Sequence, residues 1–268
     1  MPRIALIVTY SGRHYHGWQL QNESIPTVQR DLTRALSKVA DSQLVIHCAG
    51  RTDTGVHATK QIVHFDYPGE RPDKAWIMGA NAHLSDEISV EWAGTVEADF
   101  DARRSATARR YLYVIHNQKV RSSLMYDFMT HEHRALDEAR MARAALSLIG
   151  ENDFSSFRAA NCQSNSPMRF VSAVDVRRAG DIVMIDITAN AFLHHMVRNI
   201  AGVLMDVGAG QQDESWVGEL LEKRDRRAGS VTAAPNGLYL INVQYPAACG
   251  IPDGSRTPHF LQVALEHI

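Results

Sequence analysis

Between two apolar stretches of this chain lies Gly-Arg-Thr-Asp-Thr-Gly-Val-His, residues 50–57. Gly50 and Gly55 permit backbone conformations that other residues resist, so the segment can close into a tight loop. Such a loop presents Asp53 at the end of a sheet, with Arg51 two positions before it. A carboxylate held near a guanidinium stays ionised, which suits a nucleophile or a base better than an acid. The same residues also describe a plain surface turn, with Asp53 bonded to its own backbone and Arg51 in a solvated ion pair. A second segment, residues 102–113, sets Arg103, Arg104, Arg109 and Arg110 ahead of Tyr111 and Tyr113. In a nucleic-acid groove the guanidiniums would meet phosphates and a tyrosine would stack on an unpaired base. A strand with tyrosines in the core and arginines in water reads the same way. In a third segment, 190–199, His194 and His195 open a helix. Adjacent helical residues point about 100° apart, an awkward geometry for joint metal binding. Pooling them with His47, Cys48 and His57 gives no standard ligand spacing, so packing is expected and no metal. Arg198, at the end of that segment, is placed to reach a carboxylate.

Several chemistries lose support. The chain has no Walker A sequence, no G-x-G-x-x-G, no H-E-x-x-H and no G-x-S-x-G. Nucleotide-driven phosphoryl transfer, dinucleotide redox chemistry, zinc proteolysis and serine hydrolysis are therefore not indicated. Cys48, Cys162 and Cys249 are odd in number and far apart, as expected of reduced thiols rather than a disulfide framework. No apolar run approaches membrane-spanning length, and no secretory leader is read at the start, so a cytoplasmic protein without membrane contact is expected. The formal net charge of −2 is unusual for a nucleic-acid binder, although net charge says nothing of how charge is distributed.

The elements that must position these residues follow from periodicity. Residues 3–10 read as a buried strand, and Thr27 caps a helix burying Val28, Leu32, Ala35, Leu36 and Val39. Strands are expected at 44–49, 60–66 and 88–96, with a helix from Pro72 that carries Trp76, Ala80 and Leu84. The second half repeats the order: a strand at 107–116, then a helix through Met141 and Leu148 stopped by Gly150. Strands at 170–178 and 181–190, a helix from Met196 to Gly208, a short helix at 216–221 and a strand at 238–244 complete it. The expected fold class is α+β: two ferredoxin-like β-α-β-β-α-β halves with antiparallel sheets, joined into one extended central sheet. The halves are placed at 1–105 and 106–246, with a C-terminal tail at 247–268 held by Phe260 and Leu261.

Six stretches in one order carry a resemblance. They are YSGRHYHGWQ (10–19), AGRTDTGVH (49–57), FDARRSATARRYLY (100–113), GENDFSSFR (150–158), NAFLHHMVRN (190–199) and NGLYL (236–240). Together they resemble the bacterial tRNA pseudouridine synthase A family over nearly the whole chain, the extreme C-terminal tail excepted. The resemblance implies the pseudouridine synthase fold and a homodimer that binds tRNA across both subunits. It implies cofactor-free isomerisation of neighbouring uridines at the 3′ side of the anticodon loop and its closing stem. It makes Asp53 the catalytic aspartate, Tyr111 the residue that contacts the target base and Arg51 the residue that helps displace that base. Arg198 and Leu238 would line the pocket, with Arg198 the ion-pair partner of Asp53. Contact with tRNA is implied for Arg71, for Phe100, Asp101, Ala102, Arg103 and Arg104, and for Asn161, Cys162, Gln163, Ser164 and Asn165. Two subunits donating arginine-rich patches to one cleft would reconcile the net charge with RNA binding.

The main rival is a non-catalytic RNA-binding protein, since ferredoxin-like units bind RNA through aromatic sheet faces. A pure binder has no use for a carboxylate beside phosphate. A nucleoside hydrolase would also place an aspartate near a sugar but would release free base, and a metal-dependent enzyme would be sensitive to chelators.

Overall fold

The computed structural model describes residues 1–265. In chain order the first elements are β1 (Arg3–Tyr10), α1 (Val28–Ala40), β2 (His47–Cys48), β3 (His57–Asp66), α2 (Asp73–Asn81) and β4 (Ile88–Val96). Next come β5 (Ala108–Asn117), β6 (Thr130–Glu132), α3 (Glu138–Ala145), β7 (Gly150–Asp153), β8 (Met168–Ala179) and β9 (Ile182–Ala189). The last are α4 (Met196–Gly208), α5 (Trp216–Lys223), β10 (Leu238–Gln244) and α6 (His259–Leu265). The class is mixed α+β, as the periodicities predict. The elements gather into two units: residues 1–107 with 239–258, and residues 108–238 with α6. Residues 266–268 of the expected tail lie outside the described residues.

In the first unit β1 is central. Its apolar run pairs antiparallel with β3 on one side (Leu6 opposite Val63) and with β4 on the other (Leu6 opposite Ala93). Strand β10 adds a short parallel pairing to β3, Tyr239 opposite His57. Thr27 caps α1 by accepting the Arg30 N–H at 3.4 Å, and Val28, Leu32, Ala35 and Leu36 are buried. On α2, Trp76 is fully buried with Phe65 and Tyr67 each edge-on at 5.0 Å.

The observed elements depart from the expected ones in two places of this unit. Strand β2 covers only His47–Cys48 rather than 44–49, because the preceding backbone bonds to α1 side chains. Leu44 N–H reaches Ser37 Oγ at 3.1 Å, and the Ile46 carbonyl accepts from Gln29 Nε2 at 3.4 Å. Helix α2 stops at Asn81, so Leu84 lies beyond it. The Asn81 side-chain amide ends the helix by pairing with Val90, donating to its carbonyl (2.9 Å) and accepting its N–H (2.8 Å).

In the second unit β5, β9, β8 and β7 pair antiparallel in that order, and β6 runs parallel to β5. The short strands β6 and β7 were not anticipated from the sequence. Helix α3 covers β8 and meets α4 closely: a Cβ on Gly208 would lie 2.7 Å from the Met141 side chain. Leu261 of α6 is buried as expected, whereas Phe260 is exposed. No helix among the described residues is long and apolar enough to cross a membrane.

Candidate active site

The Asp53 loop is built by a second segment rather than by its own residues alone. Residues 10–18 run alongside it, and two glycines make that approach possible. A Cβ on Gly12 would lie 2.2 Å from the Val56 carbonyl oxygen, and one on Gly17 (φ +85°) would lie 2.7 Å from that of Thr52. Trp18, fully buried, donates its N–H to the Thr52 carbonyl at 3.0 Å, and Gly55 N–H reaches the Tyr15 carbonyl at 3.4 Å. Gly12 N–H donates to His57 Nδ1 at 3.1 Å, and the His57 ring stacks on Tyr239 at 4.7 Å. Within the loop Val56 N–H closes a turn on the Asp53 carbonyl at 3.1 Å, with Gly55 at φ +78°. Asp53 is half-buried and Arg51 exposed, while Thr52 between them is buried. The outcome is a fixed main chain that carries a half-buried carboxylate and, two residues before it, an exposed guanidinium. Sequence reasoning picked out the loop but not its clamp. The signal was there in Gly12, Gly17 and Trp18, small residues and an aromatic in a run with no helical or strand period.

The turn at 100–104 belongs to the same unit and divides its residues by role. Phe100 and Ala102 are buried in the core, and Asp101 caps the turn by accepting the N–H groups of Arg103 (2.9 Å) and Arg104 (2.8 Å). Only Arg103 and Arg104 of the five present exposed side chains. The turn is bonded down through the Ala102 N–H to His64 Nδ1 (3.1 Å) and the Ala102 carbonyl to the Tyr245 hydroxyl (2.5 Å). Arg71 is exposed ahead of α2, its Nε donating to the Val39 carbonyl at 3.3 Å.

His64 carries a prediction. Burial lowers its imidazole pKa from 6.5 to about 4, so the folded protein keeps it neutral where the unfolded chain takes a proton. Its contribution to stability is therefore full above about pH 6.5 and is lost as pH falls toward about 4. Urea midpoints measured from about pH 7 down to about pH 5 should fall less steeply for His64→Gln than for the wild type. Equal slopes would contradict the neutral, buried assignment.

The second unit holds Tyr111, Arg198, Leu238 and the 161–165 loop. Tyr111 is buried on β5 with Phe192 edge-on at 4.9 Å. His195, at φ +62°, precedes α4, and Arg198 sits in the first turn of that helix. Arg198 and Ala233 bond both ways: Nε donates to the Ala233 carbonyl (2.8 Å), and Ala233 N–H returns to the Arg198 carbonyl (3.2 Å). The next carbonyl, Ala234, accepts from the Tyr113 hydroxyl at 2.7 Å, and burial pushes that phenol well above its ordinary range. Leu238 follows the turn at 235–237 and is buried. Gly237 is needed there because a Cβ would lie 2.5 Å from the Val114 carbonyl oxygen.

The 161–165 loop, generic in composition, is shaped by Arg158, which the sequence reading did not single out. Arg158 donates to the carbonyls of Cys162 and Ser164, both at 2.7 Å. The loop is also brought against the 190–195 turn. Ala159 N–H reaches the His194 carbonyl (3.0 Å), His194 N–H reaches Cys162 Sγ (3.4 Å), and the His194 ring meets Asn161 Oδ1 (3.0 Å).

A family model described as tRNA pseudouridine synthase matches residues 6–103 and 144–246, which take in the Asp53 loop, its clamp and the Arg198 helix. The chain belongs to the tRNA pseudouridine synthase family. It is similar to tRNA pseudouridine synthase A of Pseudomonas aeruginosa, 52% identical over 97% of this chain and 92% of that one. The enzyme of the same name from Klebsiella pneumoniae subsp. pneumoniae is 52% identical over 97% of this chain and 96% of its own. That from Pasteurella multocida is 51% identical over 97% and 98%. Among solved structures, a chain from a Cbf5–Nop10–Gar1 complex aligns with 89% of this chain and 49% of its own, at 11% identity and a TM-score of 0.39.

Proposed function

We propose that this chain isomerises uridine to pseudouridine in the anticodon arm of tRNA, with Asp53 as the catalytic carboxylate. The observation that carries the proposal is the Asp53 loop itself: a carboxylate on a main chain clamped at Thr52, Gly55 and Val56, in a family of this activity. The reaction exchanges a C–N glycosidic bond for a C–C bond within one nucleotide, so it balances without a redox cofactor or an energy donor.

A stacked uridine hides its reacting atoms and must be turned out of the helix, at roughly a few kcal/mol. Arg51, exposed beside Asp53, is suited to occupying the vacated space and pairing with phosphate. The Asp53 carboxylate then opens the reaction at the ribose, either by attack on C1′ or by taking a proton to begin elimination. The detached uracil has to turn while held; Tyr111 supplies the stacking surface, and Arg198 and Leu238 supply walls. Arg198 is also the proposed ion-pair partner of Asp53. Arg71, the exposed Arg103 and Arg104, and the 161–165 loop are the proposed contacts to the tRNA body, in a cytoplasmic homodimer whose subunits share the substrate.

Phosphate contacts of this kind release counterions. Affinity for unmodified tRNA should fall linearly on a log–log plot against salt, by roughly 0.7 to 0.9 per phosphate neutralised. Filter binding across a salt series measures it, and a flat line would contradict the proposed contacts. Isomerisation is separated from base hydrolysis by mass: the RNA should keep its mass and shed no free uracil. Release of uracil would replace the synthase reading with a hydrolase.

A further inference from the structure

The polypeptide enters the Asp53 loop by leaving a strand, and one side chain marks the exit. Strand β2 pairs with β3 through Cys48 opposite Val63, and Ala49 N–H still reaches the Ile62 carbonyl at 2.8 Å. At Gly50 the backbone ladder stops and the side chain of Gln61 takes its place. Gln61 Nε2 donates to the Gly50 carbonyl at 2.6 Å, and its Oε1 accepts the Gly50 N–H at 3.3 Å. One primary amide thereby pairs with both polar groups of one residue, as a neighbouring strand would. The same Nε2 lies 3.3 Å from the Tyr10 hydroxyl, which is 2.8 Å from Thr52 Oγ1. Gly50 and Thr52 flank Arg51, and Thr52 adjoins Asp53.

Gln61 is completely buried beside Ile62 and Val63 on β3. A buried amide in such a place is costly unless bonded, and an aliphatic side chain of equal length would fill the volume without that cost. Here its bonds go to the entrance of the loop, and to Thr52 through Tyr10. We propose that Gln61 is a positioning residue for Asp53, holding the chain at Gly50 just past the end of β2 and, through Tyr10, fixing Thr52 so that the carboxylate is held in one place. The proposal rests on the reading of Asp53 as the catalytic carboxylate. Reactions begun by a preplaced group are sensitive to its placement: a shift of about 1 Å costs on the order of 100-fold in rate.

The test compares wild type with Gln61→Met, Tyr10→Phe, the double variant and Asp53→Ala. Single-turnover rates on saturating unmodified tRNA, tRNA affinity and thermal midpoint are measured for each. Gln61→Met should lower the rate about 30- to 100-fold and Tyr10→Phe about 3- to 10-fold, with affinity within about 2-fold of wild type. Because both act through one chain of hydrogen bonds, the double variant should be no more than about 2-fold slower than Gln61→Met alone. A wild-type rate in Gln61→Met, losses that multiply in the double variant, or a defect in affinity instead of rate would overturn the proposal. Should Gln61→Met fail to fold, Tyr10→Phe decides alone, and an unchanged rate there overturns it. Activity retained by Asp53→Ala would overturn the reading of Asp53 and this proposal together. An inactive Asp53→Ala beside a fully active Gln61→Met would overturn only this one.

Discussion

Asp53→Ala is expected to lower the single-turnover rate of pseudouridine formation by about 10⁴ or more, with tRNA affinity within roughly 3-fold of wild type. The size follows from the role. Without the carboxylate neither opening route at the ribose is available, and binding alone is left. Retained affinity follows from the way the loop is held. Its clamps are main-chain contacts: Trp18 N–H to the Thr52 carbonyl, Val56 N–H to the Asp53 carbonyl and Gly55 N–H to the Tyr15 carbonyl. Alanine keeps all of them. Removing a negative charge beside RNA also removes repulsion, so any shift in affinity should be toward tighter binding. Rapid-quench assays with excess enzyme, alongside filter binding, measure both quantities. A rate within about 10-fold of wild type would remove Asp53 from the chemistry.

Gly12→Ala is expected to lower both stability and rate, although residue 12 lies about forty positions before the carboxylate in sequence. A Cβ there would lie 2.2 Å from the Val56 oxygen, 2.7 Å from its carbonyl carbon and 2.9 Å from the Gly55 carbonyl carbon. All three are backbone atoms, so no side-chain rotation can relieve the clash. The 10–18 segment and the Asp53 loop must move apart, which stretches the Gly12 N–H bond to His57 Nδ1. Overpacking of this kind costs about 1–3 kcal/mol, a fall of roughly 3–10 °C in thermal midpoint for a chain of this size. Displacement of the loop adds a rate loss on the order of 100-fold in the protein that remains folded. Calorimetry and active-site-normalised kinetics separate the two effects. An alanine variant with wild-type midpoint and rate would mean that the two segments are not in contact.

Much of this was legible in the sequence, and what was not has physical reasons. Helices α1 and α4 carry a full apolar stripe over thirteen residues each, and period 3.6 places them well. Strands β6 and β7, three and four residues long, are too short for any period to register. The apolar run at 44–49 resembles a full strand because Leu44 and Ile46 are buried, although both lie outside β2. At the site, the glycine-flanked Asp53 loop stands out by composition, but Gln61 does not. A lone glutamine in an apolar run reads as an interruption until its amide is seen against Gly50. The resemblance implies tRNA contact along the whole 100–104 turn, whereas folding buries Phe100 and Ala102 and leaves the two arginines to the surface. The 161–165 loop has no compositional signal because Arg158, outside it, sets its shape.

The most direct measurement is site-mapped pseudouridine formation on unmodified tRNA transcripts, with purified protein in chelator and no added cofactor. New pseudouridine confined to the 3′ side of the anticodon arm is the predicted result. Well-folded protein that binds the tRNA and leaves every uridine unchanged would contradict the account and leave an RNA-binding protein in its place.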